Sequence, residues 1–281
     1  LRFNNLLLLC DGELVNTTDY EIVVEDLTKT FDGRVVLDGL NFKVKKGEIL
    51  VIMGGSGCGK STLLKHLIGS LRPTSGAIRM FDQDIANLEE DALDQIRKKI
   101  GILFQSGALF NSMTLGENIA LPLREHTSLS EDIIGIMVKM KLELVGLRDF
   151  EHLKPAQISG GMKKRIGLAR AIALDPKIMF YDEPSAGLDP VASGMIDELM
   201  MDLNKKLGVT SIVVTHEMDS AFKIADRMIL LFKGRVVSEG TPDEIRASKD
   251  PLVQQFIKGL ADGPIPLRVS KKDYLDDLTG Y

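Results

Sequence analysis

Gly54-Gly55-Ser56-Gly57-Cys58-Gly59-Lys60-Ser61-Thr62 places four glycines, a lysine and two adjacent hydroxyls directly behind the apolar run Ile49–Met53. Gly54, Gly59, Lys60 and Ser61 occupy the fixed positions of the phosphate-loop pattern G-x-x-x-x-G-K-[ST]. The residue types match one chemistry. Glycines let successive backbone N–H groups converge on phosphate oxygens, where a side chain would block the approach. The N-terminus of a following helix adds partial positive charge aimed at the same oxygens. Lys60 is expected to reach the β- and γ-phosphates, Ser61 to set its hydroxyl on Mg²⁺, and Thr62 to meet the α-phosphate. The whole stretch from Gly54 to Thr62 is therefore a candidate nucleotide site. The competing reading is a flexible loop that matches by chance.

Ile178-Met179-Phe180-Tyr181 ends in two carboxylates, Asp182 and Glu183. This resembles a Walker B strand, with Asp182 helping to hold Mg²⁺ and Glu183 polarising the attacking water. Charge at a strand end beside apolar residues needs a reason, because unpaired buried charge is expensive. The competing reading is an exposed strand terminus with two solvated acids.

Ile158-Ser159-Gly160-Gly161-Met162 is followed by Lys163-Lys164-Arg165 and the helical run Ile166–Ala173. Here the chain resembles the ATPases of ABC transporters, whose signature is LSGGQ. The resemblance covers nearly all of Tyr20–Ser248. It implies a phosphate-loop α/β fold: a RecA-like mixed sheet core with an antiparallel β subdomain and a helical insertion. It further implies ATP and Mg²⁺ as ligands and hydrolysis of ATP to ADP and phosphate. Gln105 matches the Q-loop glutamine, a catalytic and metal-facing role. Ser185–Asp189 match the D-loop, with Asp189 near nucleotide, and His216 matches the catalytic switch histidine. Ser159, Gly160 and Gly161 would point a helix N-terminus at the ATP of an opposite subunit. Phe31, lying 23 residues before Gly54, matches the aromatic that stacks on adenine. The competing readings are a structural histidine for His216 taken alone and an ordinary core phenylalanine for Phe31. Ile158 for Leu is a bland departure. Met162 for Gln removes a polar contact near the ribose, whereas Ser159 and both glycines keep the phosphate contact. With Glu183 present, a competent site is expected.

Phe104-Gln105-Ser106-Gly107-Ala108-Leu109-Phe110, Pro122–Thr127, Met162 and the stretch Gln255–Pro264 are similar to the Mla-type subfamily, the toluene-tolerance ATPases of MCE-associated phospholipid trafficking. That similarity implies a second copy of the chain, a pair of membrane permeases, an MCE-domain lipid-binding protein and a small STAS-domain partner. It also implies a peripheral place on the cytoplasmic face of the inner membrane. Phe104–Arg124 would hold the groove that grips a permease coupling helix. The first alternative is the ATPase of an importer for a polar solute such as an amino acid, which would use the same catalytic residues. The second is a soluble ABC protein of translation or DNA repair; those usually carry two nucleotide domains or a long coiled-coil insertion, and neither is seen. The third is a binding module with a dead site, against which Glu183 and His216 speak.

These residues need elements to position them. Glu48–Met53, Lys177–Tyr181, Thr210–Val214 and Met228–Phe232 are strand-like; Ser61–Ile68, Val191–Leu207 and Met218–Ile224 have helical spacing. Such alternation predicts a largely parallel α/β sheet. Ile22–Val24, Val35–Leu37 and Asn41–Val44 predict three further short strands, with a turn at Asp32-Gly33. Between Leu88 and Ala173 the pattern is helical, most clearly over Leu129–Leu147, and predicts a helical insertion at about 88–173. The expected organisation is an extension over 1–18, either disordered or foreign to the native chain, an ATPase domain over 19–248, and a C-terminal extension over 249–281. After Pro264 the prolines preclude a continuous helix, and Tyr274, Leu275 and Tyr281 are candidates for docking on a neighbouring subunit. The alternative is a disordered end.

The 281 residues are 44% hydrophobic and 27% charged, with a net charge of −5. This is enough apolar content for a large core, and the mild acidity argues against a dedicated nucleic-acid binder. Cys10 and Cys58 do not read as a structural disulfide, which fits a reducing compartment. No run approaches the ~18 apolar residues of a membrane span.

Overall fold

Side-chain alternation decides which layer each strand serves. In β5 (Ile49–Met53) every residue is buried. Ile49, Val51 and Met53 enter one apolar cluster, and Leu50 and Ile52 enter another on the opposite face, as a period of two requires. The computed structural model describes residues 8–10, 13–15 and 19–265. β5 lies inside a six-stranded sheet of order β12 (Arg235–Gly240), β11 (Arg227–Phe232), β5, β10 (Thr210–Thr215), β9 (Ile178–Asp182), β8 (Ile100–Leu103). All pairings are parallel except β12 on β11. A four-stranded antiparallel sheet, β4 (Arg34–Lys45), β3 (Tyr20–Phe31), β6 (Ser75–Met80), β7 (Gln83–Asp84), closes over one face.

Two cores result. One packs the antiparallel sheet, α1 (Lys60–Leu67) and α2 (Glu90–Arg97) against the central sheet. The other packs α3 (Leu115–His126), α4 (Glu131–Leu144), α5 (Gly160–Ala171) and α6 (Pro190–Leu207) on its far side. The short α7 (Met218–Ile224), α8 (Pro242–Ala247) and α9 (Pro251–Lys258) complete that layer. Each fully buried Ile, Leu or Val contributes about 1.5–3 kcal/mol, so strands covered on both faces are the rigid part of the molecule. The helix ends are specified locally. Thr114 with Glu117 and Thr241 with Glu244 form reciprocal capping boxes, which satisfy backbone N–H groups otherwise left free. No helix among the described residues is long and apolar enough to cross a membrane.

Three expectations differ from the structure. Asn41–Val44 is not a separate strand but the end of β4. Gly39, at φ 61, and the irregular register between Leu27 and Lys29 break the alternation there, which is why one bulged strand reads as two. The helical stretch expected over 88–173 is interrupted by β8, which joins the core sheet beside β9; four residues with a glycine among them carry too little pattern to show it. Beyond the boundary expected at 248, α9 buries Val253 completely in the main core. The N-terminal stretch contains β1 (Leu8–Cys10) paired antiparallel with β2 (Glu13–Val15). The tail residues Tyr274, Leu275 and Tyr281 lie outside the described residues.

Candidate nucleotide-binding and hydrolysis site

Every catalytic candidate sits at the carboxyl end of a parallel strand, where open α/β sheets bind ligands. β5 runs into Gly54–Gly59 and then directly into α1. The loop is shaped, not slack. A Cβ on Gly54 would lie 2.4 Å from the Leu231 carbonyl oxygen and 2.5 Å from Cys58 Sγ. Cys58 is itself buried beneath the loop, and burial pushes its thiol above the ordinary range, against the pull of Lys60. Its backbone N–H donates to the Gly55 carbonyl at 3.3 Å, and its carbonyl accepts from Gly234 N–H at 3.1 Å. Lys60 Nζ curls back over the loop, donating to Gly54 O at 2.6 Å and Gly55 O at 3.2 Å. Ser56 and Ser61 are exposed, and Thr62 is half-buried. The backbone of a tight loop, a lysine over its mouth and a helix N-terminus therefore converge on one concavity.

β9 brings Asp182 and Glu183 to the same end, two strands away across β10. Burial pushes the Asp182 carboxyl up, Glu183 adds to the shift, and Lys60 and Lys65 oppose it. Glu183 holds a left-handed φ of 48°, uncommon for a residue with a Cβ. Its N–H donates to Val214 O at 2.8 Å. Its carboxylate Oε2 lies 2.8 Å from His216 Nδ1 and accepts from the His216 N–H at 3.3 Å. Glu183 is largely covered and His216 more than half exposed. The carboxylate is thus steered by the histidine that follows β10, with one face left to solvent. Gln105 follows β8 and is exposed at this edge.

Mg²⁺ usually takes one or two carboxylates plus phosphate oxygens and water. Among the described residues no group of three or more His, Cys, Asp or Glu forms a metal cluster. A single half-buried carboxylate at a strand end, Asp182, together with the Ser61 hydroxyl, fits that sparse ligand set.

The signature lies elsewhere on the same chain. Ser159 caps α5 and accepts from Met162 N–H at 3.3 Å. Ser159, Gly160 and Gly161 line a hollow of about 210 Å³ with Gly187, Leu188 and Asp189, and no residue of the 54–62 loop lines it. Within one chain Ser159 and Lys60 are therefore not brought together. Asp189 Oδ1 caps α6, accepting from the N–H groups of Val191 and Ala192, both at 3.0 Å. Met162 packs partly against the helical core. Phe31 is 43% exposed, which removes the core-phenylalanine alternative, and Lys29 Nζ sits 5.0 Å from its ring centroid.

Three side chains brace the loops beside the candidate site without any signal in the sequence pattern. Buried Asn118 bonds both the N–H and the carbonyl of Phe110. Arg170 donates to Gly107 O at 3.1 Å and Ala108 O at 2.8 Å. Lys164 donates to the backbone of the Glu183–Ala186 turn. No periodicity marks such residues; only burial of a polar side chain does. Phe104, just before Gln105, lines a hollow of about 660 Å³ with Pro122, His126 and Arg170, among others.

A phosphate loop, a strand-end acid pair, a steering histidine and a separate glycine-led helix N-terminus define a phosphate-loop nucleotide-binding ATPase of the cassette class. The ABC transporter family model matches residues 37–186. The intermembrane phospholipid transport system ATP-binding protein MlaF of Haemophilus influenzae is 46% identical, over 92% of this chain and 97% of that one. The probable ribonucleotide transport ATP-binding protein mkl of Mycobacterium tuberculosis is 43% identical, over 90% of this chain and 70% of its own length. Among solved structures, the dimeric ATP-binding cassette MJ0796 in a post-hydrolysis state bound to ADP and Pi aligns with a TM-score of 0.73 at 33% identity, covering 79% of this chain and 98% of that one. The chain belongs to the ABC transporter family.

Proposed function

We propose that this chain is the ATP-hydrolysing subunit of a transporter that moves phospholipid between membranes of a bacterial envelope. The observation carrying the ATPase reading is the Glu183 carboxylate, held 2.8 Å from His216 Nδ1 at the strand ends beside the Lys60 loop. On this reading Lys60 and the N–H groups of 54–62 bind and orient the phosphates, and Phe31 stacks on adenine. Ser61, Asp182 and Gln105 hold Mg²⁺, which when bound neutralises charge on the phosphate oxygens. Glu183 orients water in line and takes up its proton, and His216 keeps that carboxylate aimed. Positioning and electrostatics carry most of phosphoryl-transfer catalysis.

Two copies close head-to-tail, so that Ser159–Gly161 of one and Lys60 of the other share a nucleotide; the separation of the signature hollow from the loop supports this. Asp189, lining that hollow, belongs to the same shared face. The chain works on the cytoplasmic face of the inner membrane, with permeases, an MCE-domain protein and a small STAS-domain partner. Likeness to MlaF over 97% of that protein's length supports the lipid reading. The 43% identity to mkl, whose name specifies ribonucleotide, supports the polar-solute alternative, though over a smaller share of that protein. Purification of the tagged chain from its own membranes tests both. Recovery with a lipid-handling permease and an MCE-domain protein is expected. Recovery with a solute permease and a periplasmic solute-binding protein would overturn the lipid reading and leave the ATPase reading standing.

A further inference from the structure

Lys164 is a lysine where the fold leaves almost no room for one. Its side chain is 5% exposed. Its ammonium donates to three backbone carbonyls: Glu183 O at 3.2 Å, Pro184 O at 2.7 Å and Ala186 O at 2.8 Å. An ammonium has three N–H donors, so this set uses it fully, and no carboxylate among the described residues pairs with it. Burial lowers its proton affinity, and the charge of Glu183 opposes that.

The turn it grips is the one that needs holding. Glu183 keeps a left-handed φ of 48°, and such backbone persists only where its surroundings over-determine it. The N–H is fixed by Val214 O and the carboxylate by His216. On the carbonyl side Glu183 O accepts from Ala186 N–H at 3.2 Å within the turn, and Lys164 adds the only side-chain donor the described residues bring to the Glu183, Pro184 and Ala186 carbonyls. It does so from α5, the helix whose N-terminus carries Ser159. The loop continuing from this turn, Gly187–Asp189, lines the signature hollow. One side chain therefore joins the helix that faces the partner's nucleotide to the turn that serves the chain's own.

We propose that Lys164 is a positioning residue for ATP hydrolysis, fixing the Glu183–Ala186 turn so that turnover at a chain's own phosphate loop depends on that chain's own Lys164. The proposal rests on the ATPase and head-to-tail reading above.

Full-length mixed dimers, assembled with their membrane partners and carrying one differently tagged copy of each chain, test it. One copy always carries Glu183→Gln, leaving a single working glutamate. Lys164→Met is then placed either on the chain with intact Glu183 or on the chain with Glu183→Gln. In the first arrangement kcat should fall roughly 10–100-fold, the scale of a small misplacement of a reacting group, with KM for ATP nearly unchanged. In the second it should stay within about threefold of the parent, because the working glutamate keeps its own lysine. Equal losses in both arrangements would make Lys164 a staple of the whole fold or of the signature face and overturn the proposal, as would no loss in either. If Lys164→Met does not assemble, Lys164→Gln, which keeps two donors, gives the same comparison. A wild-type complex that does not hydrolyse ATP would instead overturn the ATPase reading itself, and full activity with Glu183→Gln on both chains would overturn the role of Glu183 on which this proposal depends.

Discussion

Gly54 and Gly55 are adjacent glycines that the structure requires for different reasons, and alanine at each separates them. At Gly54 an added Cβ would lie 2.4 Å from Leu231 O and 2.5 Å from Cys58 Sγ. Leu231 is fully buried in β11, which hydrogen-bonds to β5, so its carbonyl cannot retreat without disturbing the central sheet. The backbone there has φ +156°, a region nearly confined to glycine and costing another residue about 1–3 kcal/mol. Forcing a methyl into a packed site adds about 1–3 kcal/mol, so Gly54→Ala should destabilise by roughly 2–6 kcal/mol. At Gly55 an added Cβ would meet no atom within 4 Å, and its φ is not left-handed. Gly55→Ala should therefore change stability by no more than about 0.5 kcal/mol, the scale of an unobstructed surface substitution. Its effect should appear in nucleotide affinity, because the methyl would stand where the loop is proposed to approach phosphate. Urea unfolding of both full-length variants, with equilibrium ATP binding beside it, gives the two readouts. A Gly54→Ala loss below about 1 kcal/mol, or a Gly55→Ala loss as large as that of Gly54→Ala, would refute the assignment of one glycine to packing and the other to ligand approach.

Glu183→Gln keeps an oxygen for His216 to bond but removes the charge, so phosphate release should fall by about 10²–10⁴, the usual contribution of a positioned base. ATP binding should persist and an ATP-bound dimer should accumulate on size-exclusion chromatography; turnover near wild type in the assembled complex would defeat the role. His66 supplies a pH test of the fold beneath the loop. It is buried on α1 with Nδ1 2.7 Å from Thr62 O, and burial holds its pKa below the ordinary 6.5. The unfolded chain therefore takes the proton first, so stability is complete above about 6.5 and is lost as pH falls below it. Melting temperatures between pH 7.5 and 5.5 should show that slope, and His66→Gln should flatten it; an unchanged slope in the variant would exclude His66 as its source.

Much of this molecule is written in local pattern. The phosphate loop, the Ile178–Asp182 strand with its two acids and the Ser159-Gly160-Gly161 helix start are contiguous. Each is specified by residue types a few positions apart, and alternation in Ile49–Met53 already requires cover on both faces. Tertiary structure decided everything that joins distant segments. Glu183 meets His216 only because β9 and β10 pair in register. The signature lies apart from the loop because α5 packs on the far side of the sheet from α1. β8 became a core strand through pairing with β9, not through its own four residues. Lys163, Lys164 and Arg165 are three consecutive cations in the sequence, yet Lys164 is enclosed and binds the Glu183–Ala186 turn. Charge is a property of the residue, whereas desolvation and hydrogen-bond geometry belong to the surroundings, and only the assembled fold supplies those.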